Sequence, residues 1–168
     1  MEVLPNGYTL DTSSGSFPLS TDSMLLASFA HLPKNARVLD LCAGCGTIGV
    51  LLCANQPQCS VTGVELSETA HAAALGNIAR NGLGNRMNSI CADLRTVSLR
   101  PGSFDVCVSN PPYFSGGPAS RSHPLARRED LCAPAELFAA VSKFVKFGGD
   151  FFLVHKPERL AELIACGP

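Results

Sequence analysis

Ala36-Arg-Val-Leu-Asp-Leu41 runs directly into Cys42-Ala-Gly44-Cys-Gly46-Thr-Ile-Gly49, and this join decides the fold. Val38, Leu39 and Leu41 make an apolar run of the kind found in strands covered on both faces. The glycines allow a tight turn into a helix over 47–54 and let the backbone come close to a ligand. Gly44-Cys-Gly46-Thr-Ile-Gly49 also spells G-x-G-x-x-G, the pattern that seats a dinucleotide pyrophosphate. An ordinary strand-to-helix turn explains the glycines as well. Asp40 weighs against a pyrophosphate. It stands at the strand end, ahead of the glycines, where a carboxylate repels phosphate and attracts an ammonium.

Outward from this join, strand and helix signals alternate. A helix is expected over 21–31, capped by Ser20 or Thr21. Strands follow at 60–65, 87–91, 104–109 and 150–155. Helices are expected over 67–81, 134–147 and 157–166, the first stopped by Asn81-Gly82 and the second by Gly148-Gly149. This rhythm predicts an α/β fold, a mostly parallel sheet with helices on both faces. Residues 1–20 are rich in Gly, Ser, Thr and Pro and read as a turn-rich leader containing a small hairpin. Residues 21–168 read as one catalytic domain. In such sheets ligands bind beyond the carboxyl ends of the strands, so the chemistry is sought there.

Each strand end carries a candidate. Glu65 can accept hydrogen bonds from two ribose hydroxyls, with Leu66 beside it; a helix N-terminal acid is the plainer account. Asp93 can accept from an adenine amino group, and Leu94 can pack on the ring. An ammonium, a ribose, an adenine and no phosphate describe S-adenosylmethionine. After the fourth strand stands Asn110-Pro111-Pro112-Tyr113, followed by Phe114. Two prolines stop the strand and remove two N–H donors. The Asn110 side-chain oxygen and a proline carbonyl are left as acceptors. Together they can grip the protons of a planar NH2 group and hold its nitrogen in line with a methyl donor. Tyr113 offers a face on which a planar target stacks.

The bulk composition narrows the setting. A chain of 168 residues with 46% hydrophobic and 16% charged residues fits one folded α/β domain. Its formal net charge of −1 leaves no whole-surface basic field, so any RNA contact must be local. The segment 115–128 supplies a basic patch with Arg121, Arg127 and Arg128, suited to phosphates. No apolar run reaches the roughly 18 residues of a membrane span, and no signal peptide is visible. The eight cysteines therefore read as reduced, mostly buried thiols of a cytoplasmic protein. Cys42-x-x-Cys45 has no second pair at matching spacing, so no metal is expected.

These motifs together resemble the class I, Rossmann-like methyltransferases, in the NPPY-bearing group called the methyltransferase small domain. The likeness runs from about Ser16 to Cys166. It implies that Asp40, Cys42, Gly44 and Gly46 form the cofactor loop, Glu65 and Leu66 the ribose site, Asp93 and Leu94 the adenine site, and Asn110–Tyr113 the catalytic motif. Cys42 stands where the family often has its first glycine. Three further stretches resemble the bacterial tRNA(Val) adenine-37 N6-methyltransferases. Phe17-Pro-Leu-Ser-Thr21-Asp22-Ser-Met-Leu-Leu matches a leader, (S/T)-D-x-x-L-L, that helps close the cofactor site and brings in Thr21 and Asp22. Ala126-Arg127-Arg128-Glu129 is similar to A-R-H-E. Val154-His-Lys-Pro-Glu-Arg-Leu160 is similar to V-H-(R/K)-P-E-R-L. The implied reaction is methyl transfer from S-adenosylmethionine to adenine N6 in tRNA.

NPPY also serves a protein glutamine amide, as in release-factor methylation, and guanine N2 in rRNA. A non-catalytic cofactor-binding module is a further alternative. The family sheet ends in a β-hairpin that is not found after the helix at 157–166. The strand Asp150-Phe-Phe-Leu-Val-His155 is thus expected as an apolar edge, prone to pair with a second copy in a homodimer.

Overall fold

The computed structural model describes residues 1–4, 7–12, 19–111 and 132–167. After a short hairpin of β1 (Glu2–Val3) and β2 (Thr9–Leu10), the chain forms α1 (Thr21–Phe29), β3 (Arg37–Leu41), α2 (Thr47–Asn55), β4 (Ser60–Glu65) and α3 (Glu68–Arg80). Then come β5 (Met87–Cys91), β6 (Phe104–Ser109), α4 (Pro134–Phe144), β7 (Val145–Leu153), a 3-10 turn (Pro157–Arg159) and α5 (Leu160–Cys166). Ser20 and Ser67 cap α1 and α3, their hydroxyls accepting from Ser23 N–H and Ala70 N–H.

The main sheet has the order β5-β4-β3-β6-β7, with every neighbouring pair parallel. From β3 the chain winds outward through β4 to β5, then returns to lay β6 and β7 on the other side. The strand order therefore reverses between β3 and β6, and in open α/β sheets ligands bind beyond the carboxyl ends of the strands at such a point. This is the Rossmann-like arrangement that the alternating sequence pattern predicts.

The two-residue period of the strands divides the core into two layers. Val38, Val106 and Val108 enter one layer with Leu26, Ile48, Val50 and Leu52. Leu39, Leu41 and Cys107 enter the other with Leu137, Val141 and Phe144. Each buried Val or Leu contributes about 1.5–3 kcal/mol relative to exposure. The alternation puts Asp40 on the Val38 side, a carboxylate within an apolar layer.

The leader is tied to this body. Leu4 and Leu10 join the first core layer. Asn81 Oδ1 accepts from Thr9 N–H at 2.8 Å, and Asn77 Oδ1 accepts from Asp11 N–H at 2.8 Å.

Several borders differ from the sequence expectation; the last strand, for one, ends at Leu153 rather than residue 155. The first helix ends at Phe29 rather than residue 31. More tellingly, α4 stops at Phe144, and Val145 already pairs with Phe104 as a strand residue. A wide bulge follows, because Asp150 next pairs with Val106. Asp105 lies at this bulge: one carboxylate oxygen accepts from Lys146 Nζ at 2.6 Å and the other from Arg37 N–H at 2.7 Å. Gly149 lets the bulge press against β6, since a Cβ there would lie 2.6 Å from the Asp105 carbonyl oxygen. Phe147, carried on the bulge, is fully exposed.

Candidate active site

Asp40 is 0% exposed, and neither carboxylate oxygen has a hydrogen-bond partner among the described residues. An unpaired carboxylate is costly to bury in ionised form. Burial first, and then the charge of Glu65, pushes its pKa up to about 8. The site is one that a cation would satisfy.

The loop beyond Asp40 is built from left-handed residues: Cys42 at φ +59°, Gly44 at +56° and Gly46 at +80°. Gly46 caps α2 in the left-handed region, which favours glycine, and a Cβ there would also press on the flexible end of Met87 at 3.0 Å. Ala43 N–H donates to the Val64 carbonyl at 3.1 Å and pins the loop over β4. Cys42 Sγ donates to Cys132 Sγ at 3.6 Å. That bond, with burial, holds the Cys42 thiol well above its ordinary pKa.

Glu65 spans the gap between loop and helix. Its Oε2 accepts from Gly44 N–H and its Oε1 from Ser67 N–H, both at 2.8 Å. Each oxygen keeps acceptor capacity for a ligand hydroxyl. Leu66 beside it is exposed. Beyond β5, Leu94 is buried, and the Asp93 carboxylate is gripped by Arg95 Nε at 2.8 and 2.9 Å. This pairing holds the Asp93 carboxyl below its usual range. Arg95 also reaches Glu136 Oε1 at 3.3 Å, at the start of α4. The sequence reading did not foresee Arg95.

At the switch point, Ser109 Oγ donates to the Leu41 carbonyl at 2.7 Å and ties β6 to β3. The next residue, Asn110, donates from Nδ2 to Ser23 Oγ at 3.3 Å. Its Oδ1 is buried and has no partner among the described residues. Pro111 is buried. In the leader stretch, Thr21 is exposed and Asp22 half-buried, whereas Ser23 is the buried side chain that reaches the strand end. Sequence reasoning passed over Ser23, although it lies within the quoted S-T-D-S-M-L-L stretch.

The fold thus gathers Asp40, Cys42, Gly44, Gly46, Glu65 and Asn110 around the carboxyl ends of β3, β4 and β6. Asp93 and Leu94 follow β5. Pro112, Tyr113, Phe114, Arg121, Arg127 and Arg128 lie outside the described residues. Among the described residues no three or more His, Cys, Asp or Glu side chains gather as for a metal, and no helix is long and apolar enough to cross a membrane.

With this architecture, the chain belongs to the methyltransferase small domain family, which it matches over residues 19–162. It is an S-adenosylmethionine-dependent methyltransferase by family and fold. It is 32% identical over 164 residues to a tRNA1(Val) (adenine(37)-N6)-methyltransferase of Shewanella sp. (strain MR-4), covering 95% of this chain and 69% of that one. A protein of the same name from Bacteroides fragilis is 34% identical over 141 residues, covering 81% of this chain and 59% of the relative. The chain therefore spans roughly 60–70% of the length of these relatives. Among solved structures, a predicted O-methyltransferase from Agrobacterium tumefaciens superposes with a TM-score of 0.70 at 24% identity, covering 87% of this chain and 66% of that one. At that identity the likeness speaks for the fold alone.

Proposed function

We propose that this chain transfers a methyl group from S-adenosylmethionine to N6 of an adenine in tRNA. The observation that carries this reading is the Asn110 Oδ1 atom, a buried acceptor without a partner among the described residues at the end of β6. An aromatic amino nitrogen has a delocalised, weakly nucleophilic lone pair. Acceptors fixed on its two protons hold the nitrogen in line and favour a more tetrahedral geometry. Asn110 Oδ1 and the Pro111 carbonyl are the acceptors in this account. Two relatives named as tRNA adenine-N6 methyltransferases support the choice of target.

The cofactor supplies an electrophilic methyl on a sulfonium. Asp40 holds its ammonium, and the Cys42–Gly46 loop lets the backbone approach it. Glu65 accepts from the ribose hydroxyls through its remaining lone pairs. Leu66 stands with Glu65 at the ribose, Leu94 packs on the adenine, and Asp93 accepts from the adenine amino group with its carboxylate already oriented by Arg95. Thr21 and Asp22 close the leader side. Tyr113 and Phe114 stack the target base, and Arg121, Arg127 and Arg128 contact RNA phosphates. No general base is needed, because the methylated nitrogen is acidic enough to lose its proton to water. A tRNA substrate goes with a cytoplasmic setting.

The test is methylation of unmodified bulk tRNA, and in parallel of a glutamine-bearing peptide, with methyl-labelled cofactor. Label in N6-methyladenosine supports the proposal. Label in N2-methylguanosine or in glutamine rejects the adenine target and retains the amino-group chemistry.

A further inference from the structure

The Asn110 amide can be turned two ways, and only one is useful. With Oδ1 toward the crevice, it accepts from a target amino group. With Nδ2 there, it would oppose donor to donor. The strand end itself does not choose between these. Ser23, 87 residues earlier in the chain, meets the Nδ2 end of the amide.

Ser23 lies in the first turn of α1 and is buried. Its N–H donates to Ser20 Oγ at 3.1 Å, and Ser20 Oγ–H donates to Ser23 Oγ at 3.1 Å. The Ser23 oxygen is thus held in place from its own helix cap. It then accepts from Asn110 Nδ2 at 3.3 Å, which leaves Oδ1 facing away from α1 without a partner among the described residues. Ser109 fixes the backbone one residue earlier through its bond to Leu41. The Asn110 side chain is therefore anchored twice, through the strand below and the helix beside it.

We propose that Ser23 is a positioning residue: by accepting from Asn110 Nδ2, it fixes the amide with Oδ1 presented to the target amino group. The proposal rests on the reading that Asn110 accepts from that group. It is indifferent to whether the group belongs to adenine, guanine or glutamine. In this proposal Ser23 acts through Asn110 rather than on donor or target. It removes the wrong rotamer before the target arrives, so its effect falls on turnover and not on cofactor affinity.

Two measurements on the whole chain test this. The first is the 15N–1H spectrum, in which the Asn110 side-chain amide is identified by its loss in Asn110→Ala. In Ser23→Ala the two amide protons should move to the positions of a solvent-like amide, and Ser23→Thr, which keeps the hydroxyl, should restore them. Unchanged resonances in Ser23→Ala would overturn the proposal whether or not any substrate is methylated. The second is single-turnover methyl transfer. Ser23→Ala should slow it about 10- to 100-fold, keep the cofactor Kd within about twofold, and be rescued by Ser23→Thr. In the Asn110→Ala background, Ser23→Ala should add no further loss. Independent, multiplying losses would mean that Ser23 acts through general stability. If transfer goes to a base other than adenine while this pattern holds, the target assignment fails and the role of Ser23 stands.

Discussion

Asp40 at the end of β3 and Glu65 at the end of β4 bring two carboxylates onto adjacent parallel strands, Asp40 paired in register with Gly63, two residues before Glu65. Glu65 is satisfied by two backbone N–H groups. Asp40 has no partner among the described residues, and burial together with the Glu65 charge pushes its pKa up to about 8. The protein keeps one acid of the pair buried and without a partner among the described residues, so that it takes up a proton or pairs with a cation. That asymmetry separates the two roles proposed for them.

The first consequence is on stability. A carboxyl whose folded pKa lies above its unfolded value of 3.8 contributes fully below that value, and its contribution is lost as pH climbs from about 4 to about 8. Asp40→Asn removes this loss but leaves a buried amide to satisfy. Without cofactor, the variant should be more stable than the parent by about 2 kcal/mol at pH 8, and the difference should shrink toward pH 5. Thermal unfolding across pH 5–8 measures it; a difference that does not vary with pH would refute the assignment of the shift to Asp40.

A second consequence is a proton count. Near pH 7 the free protein holds Asp40 largely protonated, and an α-ammonium with a pKa of about 7.7–8.0 is itself largely charged. Pairing the two ionises Asp40, so binding should release close to one proton per cofactor. The release falls to zero near pH 8, and above about pH 9, where both free groups have lost their protons, binding takes up close to one proton instead. Titration calorimetry in buffers of different ionisation enthalpy reads the number directly. Zero exchange between pH 6 and 7.5 would mean that the ammonium lies elsewhere.

At the opposite end of the account is the sheet border. β7 is the outer strand of the sheet beside β6, and Phe147 on its bulge is fully exposed. Self-association through this edge should be concentration-dependent, and Phe147→Glu should weaken it by at least about tenfold in Kd, as expected when a charge is forced against an apolar contact. Sedimentation of the parent as a single monomer at all concentrations would dispose of the dimer.

The strand ends were legible because parallel strands advertise themselves as apolar runs, and Asp40, Glu65 and Asn110 interrupt those runs where they stop. The glycines of the loop were legible for a local reason too: Gly46 needs its left-handed dihedral wherever the rest of the chain lies. What escaped was long-range. Gly148-Gly149 reads as the helix stop, which puts the α4–β7 border too late. What stands at the true border is β6: Val145 pairs with Phe104 and Lys146 with Asp105, 41 positions away. Arg95 holds Asp93 locally but reaches Glu136 across the same separation of 41. Cys42 meets Cys132, 90 residues on, rather than the neighbouring Cys45 that the x-x spacing offers. Ser23 belongs to the same class, a residue whose value is set by a contact 87 positions away.

The central claim is that Asn110 holds the reacting amino group and does not merely shape the cofactor site. Single-turnover methyl transfer to unmodified tRNA, measured beside cofactor binding for the parent and for Asn110→Ala, tests it most directly. The account predicts a loss of transfer corresponding to about 2–4 kcal/mol, roughly 30- to 1000-fold, with the cofactor Kd little changed. Turnover in Asn110→Ala equal to the parent's would contradict it.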